Sequence, residues 1–322
     1  YWYGGGYHFK LDKTITKFNI MIIEEIKKFS NKINSKFFYN YSLKKNTWFN
    51  IGGETKVFFK PESLLDLSLF LKEFGLKKKI YILGAGSNTL MSDDTFEGIV
   101  IKLGKNFSNI SVLPNDIIVA GSACTDRKLS EFALANEIGG LEFLACIPGT
   151  VGGGLRMNAG CFNREFKDIL VSIQAIDKKG QIITIPATKV LFEYRNNDLS
   201  DDLIFLSASF KGKKKNSKNI EKDILEFKKK KDSTQPTKIK TSGSTFKNPI
   251  NQTNKKVWEL IKESVPLDIS FGDAYISSKH YNFFVNKNNA SFNDMNKLIE
   301  FVRDKVEKKT GIKLEKEIKI LR

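Results

Sequence analysis

The sequence has few of the residues that bind transition metals or build disulfide frameworks. Its 322 residues include only two histidines and three cysteines, and Cys124, Cys146 and Cys161 show no CxxC spacing. An odd number of scattered thiols is typical of a reducing compartment. We therefore expect no metal site and a cytoplasmic protein.

Long apolar runs are also absent. No segment approaches the roughly 18 apolar residues that a membrane-spanning helix requires, so we expect no membrane partner. The opening YWYGGGYHFK lacks an initiator methionine, an apolar segment and a cleavage site, unlike a signal peptide. We interpret it as a tag remnant, a mis-assigned start or a loose extension. The apolar spacing over 19–33 then predicts an amphipathic helix.

Acidic residues are outnumbered by basic ones, and this imbalance has two interpretations. The chain carries 53 Lys and Arg against 36 Asp and Glu, a formal charge of +17. A polyanionic partner, such as nucleic acid or phosphorylated small molecules, is one interpretation. The other is a general spread of lysines over solvated faces. Blunt lysine runs at 77–79, 213–215 and 228–231, without interleaved aromatics, favour the second.

Glycine is concentrated in one stretch, GGLEFLACIPGTVGGGLRMNAGCFN, which covers 139–163 and holds seven glycines. Glycine costs backbone entropy and adds no side chain, so this density indicates tight turns or close approach to a ligand. Successive free N–H groups can also form an anion-binding nest. A plain loop between strands is the alternative. A second loop of similar character, GAGSN at 84–88, follows an apolar strand at 80–83.

That strand followed by GxG resembles part of the dinucleotide-binding fingerprint, but the rest is missing. The fingerprint needs a third glycine where the chain has Thr89, and it needs a helix to begin there. The next residues, TLMSDD, instead predict a short strand and a turn. No Walker loop and no GxSxG elbow occurs in the chain. We therefore expect a nucleotide-binding architecture that is not a Rossmann fold.

A charged connector divides the chain. We expect an N-terminal extension and helix at 1–40, a nucleotide-binding unit at 41–210, a connector helix at 211–232 and a C-terminal domain at 233–322.

Ser291 and Asp294 predict a capping box for a helix that Gly311 ends. The final LEKEIKIL alternates apolar and charged residues, which taken alone favours a solvated Glu317.

Six motifs carry a resemblance to a known family. In chain order they are NTWFNIGG, ILGAGSN, GLEFLACIPGTVGGGLRMNAG, EYR, SGSTFKNP and LEKEIKI. This set resembles UDP-N-acetylenolpyruvoylglucosamine reductases, the flavoenzymes that complete UDP-N-acetylmuramate for bacterial peptidoglycan. The resemblance covers nearly everything after residue 40. The uninterrupted span from Ser244 to Glu317 resembles the compact subtype of the family.

The resemblance implies an α+β fold. A two-subdomain FAD-binding unit of the vanillyl-alcohol-oxidase-like (PCMH) type would precede a small α+β C-terminal domain that closes over the UDP-sugar. The two glycine segments would wrap the pyrophosphate of FAD and approach its ring, so a side chain at Gly152 or Gly153 would collide with the cofactor. The implied FAD contacts are Gly84, Ala85, Gly86, Ser87, Asn88, Gly121, Ile147, Pro148, Gly149, Thr150, Gly152, Gly153, Asn158 and Gly160.

The resemblance also implies the chemistry. NADPH would reduce the flavin at N5, and the enolpyruvyl ether of UDP-N-acetylenolpyruvoylglucosamine would then take a hydride at its terminal carbon. The resulting negative charge needs preorganised partners and a proton. Arg195 would bind the carboxylate through its planar fork. Ser244 would deliver the proton, although a turn serine is its alternative. Glu317, kept neutral or bridged, would assist at the enolate.

The implied substrate contacts are Lys247, Asn248, Lys231 and Lys319, and ordinary surface lysines remain the alternative for the last two. Asn197 and Asn163 depart from the family pattern, although asparagine tolerates the left-handed backbone expected at 163. The role of Arg156 stays open.

We expect a monomer with no nucleic-acid partner. Two other functions remain: a different oxidoreductase on the same fold, which would not need Ser244, and a colourless nucleic-acid-binding protein with salt-dependent affinity.

Overall fold

A computed structural model of the chain describes residues 21–236, 239–266 and 268–322. Residues 1–20 of the proposed extension and helix at 1–40 lie outside this part, and residues 21–30 form the described portion of the expected first helix, α1. The other helices are α2 Leu64–Phe74, α3 Asp126–Ala135, α4 Val151–Arg156, α5 Ser217–Thr234, α6 Val257–Ser264 and α7 Phe292–Thr310.

The strands are short and mostly lie where the apolar runs predict them. They are β1 Lys36–Ser42, β2 Glu54–Lys60, β3 Ile80–Ile82, β4 Thr89–Met91, β5 Phe96–Ile101, β6 Ile110–Leu113, β7 Ile117–Gly121, β8 Ile138–Gly139, β9 Gly160–Cys161, β10 Arg164–Glu165, β11 Leu170–Ile176, β12 Ile182–Pro186, β13 Phe192–Glu193, β14 Asn196–Asn197, β15 Ile204–Lys211, β16 Lys213–Lys214, β17 Ser270–Phe271, β18 Ala274–Ile276, β19 Phe284–Asn286 and β20 Lys319–Leu321. Short 3-10 turns lie at Lys44–Asn46, Lys105–Ser108, Glu142–Cys146, Phe166–Asp168 and Ala187–Lys189.

The first subdomain is a four-stranded sheet in the order β1-β2-β5-β3. β5 runs parallel to β2 and β3, whereas β1 is antiparallel to β2. Helices α1 and α2 cover one face, where Ile26, Phe59 and Phe70 are fully buried. β3 ends directly before the first glycine loop, and β4 rather than a helix follows that loop. This is the arrangement that the missing third glycine predicts.

The second subdomain is an antiparallel sheet in the order β12-β11-β15-β7-β6. One face packs on α3 and α4 around Phe166, Phe210 and Leu155. Ile204 and Leu206 of β15 instead join the core that contains α2. The two subdomains therefore share apolar packing, which fixes the two glycine segments relative to each other.

The last third builds a separate apolar core around α6, α7 and the sheet β17-β18-β19. Helix α7 has the predicted capping box, with Ser291 and Asp294 bonded reciprocally, and Gly311 ends it at a left-handed φ of 74°. Leu90 of β4 also belongs to this core. In addition, β20 pairs in parallel with β4, so the end of the chain is attached to the first subdomain.

Two features are absent from the described residues. None of their helices is long and apolar enough to cross a membrane. They also contain no cluster of three or more His, Cys, Asp and Glu side chains suited to a metal ion.

Candidate active site

The second glycine segment is not one long loop, because α4 begins in its middle. The Thr150 hydroxyl caps this helix by accepting the Gly153 N–H at 3.4 Å. A Cβ at Gly154 would lie 2.4 Å from the Phe166 ring, and a Cβ at Gly152 would lie 2.9 Å from Ser122 Cβ. Packing against the protein therefore requires both of these glycines. Gly153 differs, because its Cβ would meet only Thr150 Oγ1 at 3.6 Å, and the residue is exposed.

The two glycine segments meet. The Ser87 hydroxyl donates to the Pro148 carbonyl at 2.8 Å. Gly86 has a left-handed φ of 68°, and a Cβ there would lie 2.0 Å from the Asn46 carbonyl oxygen. Among the described residues, the N–H groups of 84–87 have no acceptor. A run of free amides on small residues fits an anionic group such as a pyrophosphate.

The other expected cofactor contacts fall on either side of this junction. Gly121 ends β7 and donates to the Asn109 carbonyl, while the next residue, Ser122, accepts the Gly152 N–H at 2.9 Å. Ala85, Ile147 and Thr150 are partly exposed in the two segments, Pro148 is exposed, and Gly149 accepts the Asp126 N–H at 3.3 Å.

Asn158 and Gly160 lie instead beside Arg195. The Asn158 side chain is fully buried and bonded to the protein, because its Nδ2 donates to the Glu193 carbonyl at 2.9 Å and to Glu165 Oε2 at 3.1 Å. The carbonyls of Asn158 and Gly160 accept from the Arg195 guanidinium at 3.5 and 2.7 Å. The second glycine segment therefore contacts the first glycine segment at Pro148 and, further along the chain, contacts Arg195 at Asn158 and Gly160.

Arg195 and Glu317 are in direct contact although 122 positions separate them. Arg195 sits in the turn between β13 and β14 with a left-handed φ of 57°. Its Nε donates to Glu317 Oε1 at 3.3 Å, and its Nη1 contacts Glu165 Oε1 at 3.4 Å. The Arg195 and Glu317 side chains are 16% and 18% exposed, which corrects the solvated glutamate that the alternation of the final strand favours.

Backbone pairing brings the chain at Ser244 next to the segment that carries Glu317. It precedes Thr245, whose carbonyl accepts the Glu317 N–H at 2.8 Å. Ser244 is partly exposed, and its hydroxyl has no hydrogen-bond partner among the described residues. Burial raises the pKa of Glu317, while the nearby cations Arg195 and Lys247 act in the opposite direction. Arg195 thus contacts a carboxyl whose burial disfavours ionisation, and Ser244 is the chain neighbour of the residue that accepts the Glu317 N–H.

The expected substrate contacts divide into two groups. Asn248 donates to Tyr194 Oη at 3.3 Å, and Lys247 lies 3.7 Å from Glu315 and close enough to Glu317 to influence its pKa. Lys231 is elsewhere, at the end of α5, where its amine donates to the Cys146 carbonyl at 2.7 Å. Lys319 is exposed, and its backbone N–H donates to the Asn88 carbonyl at 2.9 Å.

The three positions left open by the sequence have structural roles. Arg156 donates to the carbonyls of Leu199, Ser200 and Leu203 and lies 4.2 Å from the centre of the Phe205 ring. Asn197 donates to the Leu155 and Arg156 carbonyls, which fixes β14 to α4. Asn163 adopts the expected left-handed backbone, with a φ of 58°.

Sequence reasoning missed two carboxyl groups beside the site. Glu165 contacts Arg195, and no spacing rule connects a residue of one hairpin with the turn of another. Asp126 is fully buried under the second glycine segment, neither carboxyl oxygen has a partner in the described structure, and burial raises its pKa well above the ordinary value. Its position at the start of α3 gave the only signal, and that signal suggested an exposed helix-terminal acid.

Comparisons with known proteins show the family of this chain. The family model described as FAD binding domain matches residues 55–186, and the model described as UDP-N-acetylenolpyruvoylglucosamine reductase, C-terminal domain, matches 235–321. The reductase of that name from Pelagibacter ubique is 76% identical over 94% of this chain and all of its own length. The one from Rickettsia conorii is 46% identical over 87% of this chain and 94% of its own.

A solved structure of a reductase from this family is also similar to the chain. The crystal structure of the Thermus caldophilus UDP-N-acetylenolpyruvylglucosamine reductase matches with a TM-score of 0.75 and 26% identity, covering 90% of this chain and 99% of that one. Together with the FAD-binding family match, this confirms the expected mixed α/β fold with an FAD-binding unit that is not a Rossmann fold.

Proposed function

Because this chain belongs to the UDP-N-acetylenolpyruvoylglucosamine reductase family and is an FAD-dependent oxidoreductase of peptidoglycan precursor synthesis, we propose that it uses NADPH to convert UDP-N-acetylenolpyruvoylglucosamine to UDP-N-acetylmuramate. The contact between Arg195 and Glu317, whose N–H bonds to the carbonyl of Thr245 next to Ser244, is the observation that carries this proposal.

FAD fits the junction of the two glycine segments. The free N–H groups of 84–87 suit its pyrophosphate, and the open surface at Gly153 leaves room for a flat ring. Asn88 and the segment at 147–150 would complete the contacts. When bound, the flavin would carry the two electrons from NADPH to the enolpyruvyl group.

Side chains of the protein would bind the substrate carboxylate, deliver the proton and stabilise the enolate. Arg195 would hold the substrate carboxylate, because a guanidinium offers two parallel N–H donors to two oxygens. Ser244 would give its proton to the carbon next to that carboxylate, as its hydroxyl has no competing partner among the described residues. Glu317, whose ionisation is disfavoured by burial, would in its protonated form stabilise the enolate by hydrogen bonding instead of repelling it.

Lys247 and Asn248 would hold the sugar nucleotide, supported by their closeness to Glu317 and Tyr194. Lys231 and Lys319 remain proposed contacts to its phosphates, and a phosphate would have to draw the Lys231 amine from the Cys146 carbonyl. We also propose that the FAD-binding unit spans 41–210, the connector 211–232 and the C-terminal domain 233–322, and that the enzyme is a cytoplasmic monomer.

The test is an anaerobic assay of the yellow holoprotein with NADPH and the enolpyruvyl sugar. We expect stoichiometric NADPH oxidation and a product two mass units heavier than the sugar nucleotide supplied. Flavin reduction by NADPH without any change in the sugar nucleotide would contradict the proposed substrate. Equal turnover with NADH would contradict the proposed preference for NADPH.

A further inference from the structure

We propose that Glu165 is a positioning residue that holds the Arg195 guanidinium in place while the substrate carboxylate replaces Glu317. This rests on the proposed role of Arg195 in binding that carboxylate. Glu165 would be the lasting counterion of Arg195, and Glu317 the exchangeable one.

The orientation of Arg195 has to come from outside its own turn. The residue occupies a two-residue turn with left-handed φ, where the local backbone does not fix a long side chain. Its guanidinium is held from the neighbouring hairpin of β9 and β10, where the Gly160 carbonyl accepts from Nη2 at 2.7 Å and Glu165 accepts from Nη1 at 3.4 Å. These two residues face each other in the pairing of β9 with β10.

Glu165 is itself firmly held. Its Oε2 accepts from Asn158 Nδ2 at 3.1 Å and lies 3.0 Å from Lys167 Nζ, which leaves Oε1 directed at Arg195. Asn158 is fully buried, and the same amide donates to Glu193, two residues before Arg195. Asn158 therefore connects the hairpin that carries Glu165 to the turn that carries Arg195.

Glu317 is held much less firmly. Within the described residues, its side chain has one hydrogen-bond partner, Arg195. Burial raises the pKa of Glu317 and so disfavours its charged form. Because Glu317 must be charged to bind Arg195 strongly, it is a weaker partner for Arg195 than a carboxylate that is fully ionised. A substrate carboxylate, ionised throughout the neutral range, can displace it.

The remaining donors after this exchange have the right shape. With Glu165 on Nη1 and Gly160 on Nη2, loss of Glu317 leaves the Nε–H and the second N–H of Nη2. The Nε–H and one N–H of Nη2 form one edge of a guanidinium and run parallel, and such an edge suits both oxygens of one carboxylate. Without Glu165, the guanidinium could turn and present a different edge.

The experiment measures ligand binding to oxidised holoenzyme by flavin spectral titration. Two ligands are compared: the enolpyruvyl sugar nucleotide and UDP-N-acetylglucosamine, which lacks the carboxylate. In Glu165→Gln, the Kd of the enolpyruvyl ligand should rise at least about tenfold, since hydrogen bonds to charged groups are worth that much. The Kd of UDP-N-acetylglucosamine and flavin reduction by NADPH should stay unchanged. Glu137→Gln, which removes the charge of an exposed glutamate paired with Lys214, is the matched control and should leave all three unchanged.

The outcomes are distinguishable. Equal weakening of both ligands, or no weakening of either, in Glu165→Gln would overturn the positioning role. If Arg195→Gln leaves the Kd of the enolpyruvyl ligand unchanged, the proposed role of Arg195 fails and this inference fails with it. If Arg195→Gln weakens that ligand while Glu165→Gln does not, only this inference fails. Should Glu165→Gln not fold, Glu165→Asp carries the same test, because it keeps the charge and withdraws the carboxyl from Arg195 by one carbon.

Discussion

The Asn88 side chain donates to the backbone carbonyl of Glu317 at 3.0 Å, which ties the first glycine loop to the segment that carries the candidate catalytic carboxyl. The Lys319 N–H returns a bond to the Asn88 carbonyl at 2.9 Å. The first glycine loop and the segment that carries Glu317 are therefore joined by two hydrogen bonds between residues far apart in sequence.

Asn88→Ala should loosen this connection. Loss of one partly buried hydrogen bond costs about 1 kcal/mol, which lowers Tm by roughly 2–4 °C in a protein of this size. We expect substrate-dependent turnover to fall more than NADPH-driven flavin reduction, measured by stopped flow. Loss of the flavin at unchanged apoprotein Tm would show that the Asn88 amide serves the cofactor instead.

Gly153→Ala tests where the flavin lies. The added Cβ has only an ordinary contact with Thr150 in the protein, so the apoprotein should keep its Tm. FAD affinity, measured by fluorescence titration, should fall by about tenfold or more if the ring lies against this residue. The neighbouring Gly154→Ala is the control, since its Cβ overlaps the Phe166 ring and should destabilise the apoprotein by about 1–3 kcal/mol. Normal FAD affinity in Gly153→Ala, and in the larger Gly153→Val, would contradict this placement.

Asp126→Asn should stabilise the protein, and the stabilisation relative to the wild type should grow as pH rises. Burial raises the pKa of Asp126, so the folded state keeps a proton that the unfolded chain releases above about pH 4. The free energy of unfolding of the wild type therefore falls through that range by at most about 1.4 kcal/mol per pH unit, until the folded-state pKa is passed. The neutral amide removes this loss. Thermal unfolding between pH 4.5 and 8 should show a Tm advantage that grows with pH, and a constant difference would contradict it. The exposed control Asp202→Asn should show no such trend.

Glu317→Gln should change the pH profile of turnover. In the wild type, burial raises the pKa of Glu317, and the neutral form, which we propose assists the enolate, is lost as pH rises through that pKa. We expect kcat to decline up to about tenfold per pH unit above that pKa, and the glutamine variant to lack this decline. Glu315→Gln, two residues away and exposed, should keep it. An unchanged decline in Glu317→Gln would assign it to another group.

Local signals predicted the elements well. The capping box of Ser291 and Asp294 and the left-handed Gly311 depend on neighbours within one helix, so the sequence contains everything that determines them. Thr89 in place of a glycine likewise predicted a strand after the first loop. The helix at Val151–Arg156 was not predicted, because three consecutive glycines are poor helix formers and only packing against Ser122 and Phe166 explains two of them.

The site residues needed more than local pattern. The residue motifs of the family pointed to Arg195, Ser244 and Glu317, whereas alternation in the last strand favoured a solvated Glu317. Its burial results from pairing with Thr245 and contact with Arg195, both distant in sequence. The contacts of Glu165, Asn158 and Lys231 depend in the same way on how hairpins and α5 dock, which periodicity does not encode.

The most direct test of the account is the pair of half-reactions in Ser244→Ala, measured anaerobically by flavin absorbance. NADPH should reduce the flavin at the wild-type rate, because the hydroxyl takes no part in that step. Re-oxidation by the enolpyruvyl sugar should slow by about 100-fold or more, the usual contribution of a positioned general acid. Re-oxidation within a factor of about two of the wild type would contradict the proton transfer from Ser244, and with it the proposed arrangement around Arg195 and Glu317.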